Sequence, residues 1–183
     1  KLEALGVGII EEKKSFERIV LIGFMGAGKS SVAPILAKKL NLLHIEMDEL
    51  VLKESKQKTI NDILKNQGEN IFRSLEGQVA KSLKRKSNII ISAGGGVIMN
   101  QNTMKHLREN AIVVLLNTSF KIVKRRLAEV TNRPLWSDQK KAETLYKLRM
   151  PLYKKYADVV VTTDSKSIDA VVEEIVVKIG GKL

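Results

Sequence analysis

Cysteine is absent from the sequence, and so are long apolar runs. The lack of cysteine excludes disulfide bonds, thiolate catalysis and cysteine-ligated metal sites, and it fits a cytoplasmic location. The longest apolar runs, such as residues 112–116, have the length of strands and fall far short of the roughly 20 residues needed to span a bilayer. No early apolar run is followed by a small-residue cleavage site, so a secretory signal is not expected.

Aromatic residues are scarce at 4% of the chain, whereas basic residues give it a formal net charge of +12. So few aromatic side chains leave little surface on which nucleic-acid bases could stack. Most lysines are scattered, and basic clusters occur only at residues 84–86 and 124–126. We therefore expect a solvated basic surface that attracts phosphate-bearing small molecules, with no nucleic-acid partner and no membrane partner. The protein is also expected to be a monomer.

The 183 residues suit one domain, in which strands alternate with helices from residue 18 to residue 183, after a leader or linker at 1–17. Apolar runs predict strands at residues 19–22, 42–45, 88–92, 111–116 and 158–162. Helical spacing or capping predicts helices at residues 29–40, 48–54, 59–66, 70–85, 102–109, 119–127, 142–156 and 168–179, with a loop at 129–140. This alternation indicates an α/β fold whose five-stranded parallel sheet is covered on both faces and binds ligands at the carboxyl ends of its strands.

A glycine-rich segment follows the first predicted strand. Residues 23–30, G-F-M-G-A-G-K-S, match the pattern G-x4-G-K-[ST] and run directly into a predicted helix. The glycines let backbone amides approach phosphate, while Lys29 reaches the β- and γ-phosphates and the Ser30 hydroxyl is placed to hold Mg²⁺. The strand and helix on either side favour a nucleotide site over an ordinary turn. The predicted phosphate-binding residues are Gly26, Ala27, Gly28, Lys29, Ser30 and Ser31.

Two pairs of charged residues follow further along the chain. Glu46 and Asp48 lie two apart on a segment predicted to be extended, so their side chains point the same way, one near magnesium and one near an acceptor hydroxyl. Arg73 and Glu76 share a helix face, where the guanidinium could clamp a substrate carboxylate. The plain alternatives are a solvated turn that caps the next helix and a surface ion pair.

Three glycines and two arginines complete the pattern. Gly94, Gly95 and Gly96 follow a buried strand. Three consecutive glycines cost backbone conformational entropy, so the run indicates an exposed amide that a ligand can contact. The alternative is an ordinary tight turn. Arg133 lies in the long loop and Arg149 in the helix after it. A loop arginine that closes over the γ-phosphate would stabilise the transferred charge and exclude water, whereas the alternative for each arginine is solvent exposure.

The ordered set of motifs resembles the shikimate kinase family from about residue 18 onwards. The matching pieces are the loop 23–30, the acidic pair ending at Asp48, Phe72-Arg73 with Glu76, the triplet 94–96, Arg133-Pro134-Leu135, and Arg149 ahead of Pro151-Leu152-Tyr153. The resemblance implies a nucleoside-monophosphate-kinase-like P-loop fold with three layers and a mobile lid at residues 127–141. It also implies ATP and Mg²⁺ as cofactors and shikimate as the small-molecule substrate.

The resemblance assigns roles to individual residues. The implied catalytic residues are Asp48, Lys29 and Arg133, and Asp48 would contact the acceptor hydroxyl. Shikimate binding falls to Asp48, Arg73, Gly94, Gly95, Gly96 and Arg149. Nucleotide contacts outside the glycine-rich loop fall to Arg126, Arg133 and Lys166.

Position 46 departs from the family, which usually has Asp-x-Asp after the second strand where this chain has Glu46-Met47-Asp48. The implied metal contacts are Ser30 directly and Glu46 through water. Magnesium tends to keep several waters, and a water-mediated contact absorbs the extra methylene of a glutamate. His44 lies outside the motifs and is expected to belong to the structure of a strand edge.

Three other functions remain open at this point. The first is another small-molecule P-loop kinase, such as a gluconate or nucleotide kinase, against which Arg73, Arg149 and the triplet 94–96 argue. The second is a nucleotide-binding homologue with weak catalysis, which Glu46 supports. The third is a nucleic-acid-binding NTPase, suggested by the charge of +12 and opposed by the scarce aromatic residues.

Overall fold

A five-stranded parallel sheet forms the centre of the protein, seen in a computed structural model that describes residues 16–128 and 138–180. The strands are β1 Arg18–Ile22, β2 Leu43–Glu46, β3 Ile89–Ser92, β4 Ala111–Asn117 and β5 Val159–Thr162. Their order across the sheet is β2-β3-β1-β4-β5, so β1 is central and β2 and β5 are edges. The carboxyl end of β1 therefore lies between the ends of β3 and β4, where the glycine-rich loop begins.

Eight α-helices accompany the strands in the described residues. They are α1 Lys29–Leu40, α2 Met47–Ser55, α3 Ile60–Asn66, α4 Glu69–Leu83, α5 Gln101–Arg108, α6 Phe120–Leu127, α7 Gln139–Tyr156 and α8 Ile168–Gly180, with a short 3₁₀ turn at Val97–Met99. None of these helices is long and apolar enough to cross a membrane. The predicted three-layer α/β fold is confirmed.

Several predicted boundaries were wrong by one to three residues, and two of these differences fall at the acidic pair and in the predicted lid. Strand β2 starts and ends one residue later than predicted, so Glu46 is its last residue and the helix starts at Met47. Helix α7 starts at Gln139, although residues 139–140 were assigned to the loop. The Asp138 side chain accepts hydrogen bonds from the amides of Lys140 and Lys141, which caps the helix three residues before its first buried position, Ala142.

The core has two halves, one on each face of the sheet. Alternate residues of β1 face opposite sides: Ile19 and Leu21 pack with α1 and α8, whereas Val20 and Ile22 pack with the other helices. All four side chains are essentially inaccessible to solvent. A strand buried on both faces needs a continuous apolar run, which is what the sequence supplies here.

Helix α3, predicted at residues 59–66, starts after Thr59 with a capping box. The Thr59 side chain accepts from the amide of Asp62, and the Asp62 side chain accepts from the amide of Thr59. Thr59→Ala is expected to lower the free energy of unfolding by about 1 kcal/mol, because an amide at the helix start loses its partner. Urea denaturation measures the change. Thr144→Ala, at an exposed position inside α7, is the control, and an equal effect of both changes would contradict the assignment.

Candidate active site

A cleft of about 370 Å³ opens at the carboxyl ends of the strands, within the range of small-molecule sites. The predicted site residues that line it are Gly26, Ala27, Gly28, Lys29, Ser30, Ser31, Glu46, Asp48, Gly94, Gly95, Arg126 and Lys166. Sequence reasoning missed three further lining residues after β5, namely Thr163, Ile168 and Val171. Arg73, Gly96 and Arg149 do not line this cleft, and Arg73 lines a second depression.

The phosphate loop turns sharply between β1 and α1. Gly28 precedes the helix with a φ of 101°, and Gly23 leaves the strand with a φ of 151°, both in the region that side chains disfavour. A Cβ on Gly23 would lie 2.8 Å from the carbonyl oxygen of Leu116, so a side chain there has no space. The first turn of α1 carries no acidic side chain, and its amide end faces the cleft with a partial positive charge.

The Lys29 side chain folds back over this loop. Its ammonium donates hydrogen bonds to the carbonyl oxygens of Gly23 at 2.8 Å and Phe24 at 3.2 Å. These two carbonyls hold the positive charge at the mouth of the loop, where the β- and γ-phosphates of a nucleotide would lie.

The two carboxylates meet in the cleft, but for a different reason from the predicted one. The chain leaves β2 at Glu46 and enters α2 at Met47, so Asp48 is helical and the extended geometry assumed from the sequence was wrong. The strand end and the first helical turn nevertheless bring both carboxylates to the same cavity. The predicted convergence on one site therefore holds, although the side chains are oriented by a strand-to-helix junction.

Burial raises the pKa of Glu46, and the nearby Asp48 carboxylate raises it further. A hydrogen bond from the Ser30 hydroxyl, together with His44 and Lys29, lowers it and limits the rise. Ser30 and Lys29 of the phosphate loop are thus electrostatic neighbours of the longer glutamate side chain. Two carboxylates close together near a phosphate loop repel each other, and a bound divalent cation would reduce that repulsion.

The glycine triplet allows charged side chains to approach the backbone closely. A Cβ on Gly94 would lie 2.9 Å from Oδ1 of Asp48 and 3.0 Å from Oε1 of Glu76. A Cβ on Gly96 would lie 2.3 Å from Nη1 of Arg73. The sequence predicted an exposed amide for a ligand, and the structure adds that two of the glycines make room for carboxylates and a guanidinium.

Arg149 is buried behind the triplet, with 7% of its surface exposed. Its Nη1 donates to the carbonyl oxygen of Gly95 at 3.3 Å, and the Tyr153 hydroxyl donates to the same oxygen. Burial lowers the pKa of Arg149, and the neighbouring Arg73 lowers it too. Its Nε is buried and has no hydrogen-bond partner among the described residues. Two guanidinium groups near enough to affect each other's pKa give this side of the triplet a positive charge, which favours an anionic ligand group.

Arg73 is held by two carboxylates on its own helix, α4. Its Nη1 lies 2.6 Å from Oε2 of Glu76 and its Nη2 lies 3.1 Å from Oε1 of Glu69. Glu76 is only 2% exposed, so this is not the surface ion pair that was the plain alternative. Burial raises the pKa of Glu76, while Arg73 lowers it. Arg73 faces a shallow depression next to the cleft.

Two basic residues lie at the opposite side of the phosphate loop. Nη1 of Arg126 donates to the carbonyl oxygens of Gly26 at 3.1 Å and Ala27 at 3.2 Å, which fixes α6 against the loop. Lys166 pairs with Glu174 of α8. Both basic side chains line the cleft, at the end away from Asp48.

An aromatic contact that sequence reasoning missed ties the phosphate loop to α7. The rings of Phe24 and Tyr146 pack edge to face, with centroids 5.3 Å apart, and the Tyr146 hydroxyl donates to the carbonyl oxygen of Thr118 at 2.8 Å. Tyr146, Arg149 and Tyr153 are spaced three and seven apart, so they share one helix face. This spacing is the feature of the sequence from which the contact could have been predicted.

The oxygen atoms of the cleft fit a magnesium ion bound with its nucleotide. Among residues 16–128 and 138–180 there is no cluster of three or more acidic or histidine side chains that could hold a metal alone. Magnesium does not need one, because it retains waters and is bound by a few protein oxygens and the phosphates. Ser30 and Glu46 supply such oxygens. Arg133 and most of the predicted lid at residues 127–141 lie outside the described residues, and the two ends of the lid range fall in α6 and α7.

Comparison with known proteins agrees with the fold and the motifs. The family model for shikimate kinase matches residues 25–180. A shikimate kinase of Thermodesulfovibrio yellowstonii is 36% identical over 163 residues, which are 87% of this chain and 93% of the relative.

Solved structures give the same result. The shikimate kinase of Acinetobacter baumannii in complex with shikimate has a TM-score of 0.85 at 29% identity, covering 93% of this chain and 97% of that one. The shikimate kinase of Aquifex aeolicus has a TM-score of 0.76 at 34% identity, covering 90% of this chain and 96% of that one. The chain therefore belongs to the shikimate kinase family.

Proposed function

We propose that this protein transfers the γ-phosphate of ATP to a hydroxyl of shikimate, forming shikimate 3-phosphate and ADP for aromatic amino acid biosynthesis. The observation that supports it best is the meeting of the phosphate loop and Asp48 in one cleft. The acceptor oxygen forms a bond to the γ-phosphorus as the bond to the ADP oxygen breaks. Transfer is direct, because phosphoryl transfer requires positioning and charge neutralisation more than a covalent intermediate.

Asp48 orients the acceptor hydroxyl and takes its proton. It lies in the first turn of α2, next to Gly94 and on the same cleft as Lys29. Lys29 neutralises the phosphates, and Arg133 is proposed to add positive charge from the lid. Magnesium, when bound with ATP through Ser30 and through water to Glu46, would supply further neutralisation of the phosphate oxygens.

The carboxylate of shikimate is assigned to Arg73 and Arg149. The unsatisfied Nε of Arg149 and the proximity of the two guanidinium groups support the assignment. The backbone of Gly94, Gly95 and Gly96 completes this side of the substrate site. The nucleotide lies along residues 26–31, with Arg126 and Lys166 nearer its base.

A coupled assay of ADP release tests the proposal, with ATP and Mg²⁺ alone, with shikimate, and with gluconate. We expect ADP release that requires shikimate. Release with gluconate instead would favour another small-molecule kinase. Nucleotide binding without release under any condition would identify a binding homologue, the function that Glu46 left open.

Arg149→Met is expected to raise the KM for shikimate by about 10- to 100-fold, since a charge-assisted hydrogen bond contributes roughly 1.5–3 kcal/mol. The dissociation constant of ADP should not change. Steady-state kinetics and calorimetry measure the two quantities. Arg85→Met, at an exposed arginine before β3 and away from the cleft, is the control. A normal KM in Arg149→Met would remove Arg149 from the substrate site.

Three predictions about the whole protein rest on the sequence alone. We infer a monomer with no nucleic-acid partner, and a cytoplasmic location. The scattered basic residues and scarce aromatic residues support the absence of nucleic-acid binding. Elution in gel filtration at the volume of a 20.4 kDa protein would support the first inference, and the same volume after addition of DNA or RNA at low salt would support the second.

A further inference from the structure

His44 lies on the edge strand β2, two residues before Glu46 and on the same face of the strand. Its Nε2 is 3.2 Å from Oγ of Ser92 on the neighbouring strand and 3.6 Å from Oε2 of Glu46. The Nε2 atom therefore lies between a hydroxyl oxygen and a carboxylate oxygen. The His44 and Glu46 side chains are 22% and 19% exposed, so water screens this contact only in part.

Ser92 is a fixed support for the imidazole. It is completely buried, and it is the register partner of Glu46 across the β2–β3 ladder. His44 is paired with Ile90, so its ring reaches diagonally along the ladder to Ser92. A histidine held at one end by a buried hydroxyl has little freedom to turn away from the carboxylate beside it.

The carboxylate of Glu46 is thus held from two sides. Ser30 of the phosphate loop is near enough to lower its pKa, and Nε2 of His44 lies 3.6 Å from its Oε2. A glutamate has one more rotatable bond than an aspartate, so fixing its carboxylate costs more conformational entropy. A neighbouring group that already restricts the side chain reduces the conformational entropy lost when a ligand binds.

We propose that His44 is a positioning residue that holds Glu46 in the orientation in which it meets Ser30 and the magnesium shell. The contact with His44 would allow a glutamate to serve at a position where the family usually has an aspartate. The inference rests on the proposed function only in assuming that MgATP is the nucleotide form that binds. It is independent of the acceptor.

Calorimetric titration of ADP tests this inference, with excess Mg²⁺ and again with EDTA, on the full chain. His44→Leu is expected to raise the dissociation constant of ADP about tenfold in Mg²⁺, at the low end for a lost partner of a metal-binding residue. The dissociation constant in EDTA should not change. His44→Gln, whose amide can reach the position of Nε2, should restore most of the affinity. The titration contains no shikimate, so its result does not depend on whether shikimate is phosphorylated.

A double-mutant cycle with Glu46→Asp shows whether His44 acts through Glu46. The shorter aspartate falls short of the imidazole, so adding His44→Leu to Glu46→Asp should change the affinity by less than about twofold. His106→Leu is the matched control, because it is the other histidine of the sequence, is also half-buried and lies on α5. Circular dichroism confirms folding, and His44→Asn replaces His44→Leu if the leucine variant does not fold.

Three results would overturn the inference. One is an unchanged dissociation constant in Mg²⁺ for His44→Leu. Another is an equal rise in Mg²⁺ and in EDTA, which would indicate a general effect on the phosphate loop. The third is a tenfold rise that persists in the Glu46→Asp background, because His44 would then act through another group.

Discussion

Asp48→Asn is expected to lower kcat for shikimate phosphorylation by about 10²- to 10³-fold, the usual contribution of a positioned general base. The dissociation constant of MgATP is expected to stay within about twofold, since Asp48 is assigned to the acceptor and not to the phosphates. The asparagine amide has nearly the same shape but cannot take a proton. Steady-state kinetics and calorimetry separate the two effects.

The surroundings of Asp48 support so large an effect. Its carboxylate is in the first turn of α2, and it lies close to the position that a Cβ on Gly94 would take, as does the buried Glu76. Glu49→Gln is the matched control, because Glu49 is the next residue in the same turn and is exposed. Unchanged turnover in Asp48→Asn would remove its assigned role, whereas a parallel loss in both variants would indicate a disturbed helix.

Lys29→Met is expected to lower kcat/KM for ATP by about 10³-fold, comparable to the loss of one strong charge-stabilising donor in other active sites. The ammonium is held by the carbonyl oxygens of Gly23 and Phe24, so it is already at the mouth of the phosphate loop before nucleotide binds. Methionine keeps the apolar stem and removes the charge. Steady-state kinetics at varied ATP concentration measure the change.

Lys39→Met is the control for Lys29→Met. Lys39 lies on the same helix, and its ammonium pairs with Glu173 at the protein surface. Such an exposed ion pair contributes little to stability. A large loss in kcat/KM for both variants would point to damage of α1, and normal kinetics in Lys29→Met would contradict the nucleotide assignment.

Much of the fold and of the nucleotide side of the site could be predicted from local patterns. The apolar run at β1, the glycines after it and the helix start at Lys29 lie together in the sequence, so their geometry follows from neighbouring residues. The acidic pair shows where this approach reaches its limit. Glu46 and Asp48 were expected in one extended segment, whereas the chain turns into a helix between them.

The contacts behind the glycine triplet could not be predicted, because they join residues far apart in the chain. Arg149 and Tyr153 reach the carbonyl oxygen of Gly95 across more than 50 residues. The contact of His44 with Ser92 depends on which strands are neighbours in the sheet. No local sequence pattern predicts the strand order β2-β3-β1. Strand order and side-chain direction are set by the packing of the whole core.

The position of β2 at the edge of the sheet has a consequence for how the protein would open. The phosphate loop follows the central strand β1, which is paired on both sides, whereas Glu46 ends the edge strand β2 and Asp48 follows it. Partial unfolding begins where fewer neighbours hold the backbone, so the acidic side of the cleft should separate before the phosphate loop does. In such a partly open molecule, ATP would still be held by the phosphate loop. Asp48, the residue proposed to activate the hydroxyl, would have moved away. The backbone amides of the phosphate loop are therefore expected to exchange their hydrogens more slowly than those of β2 and the first turn of α2.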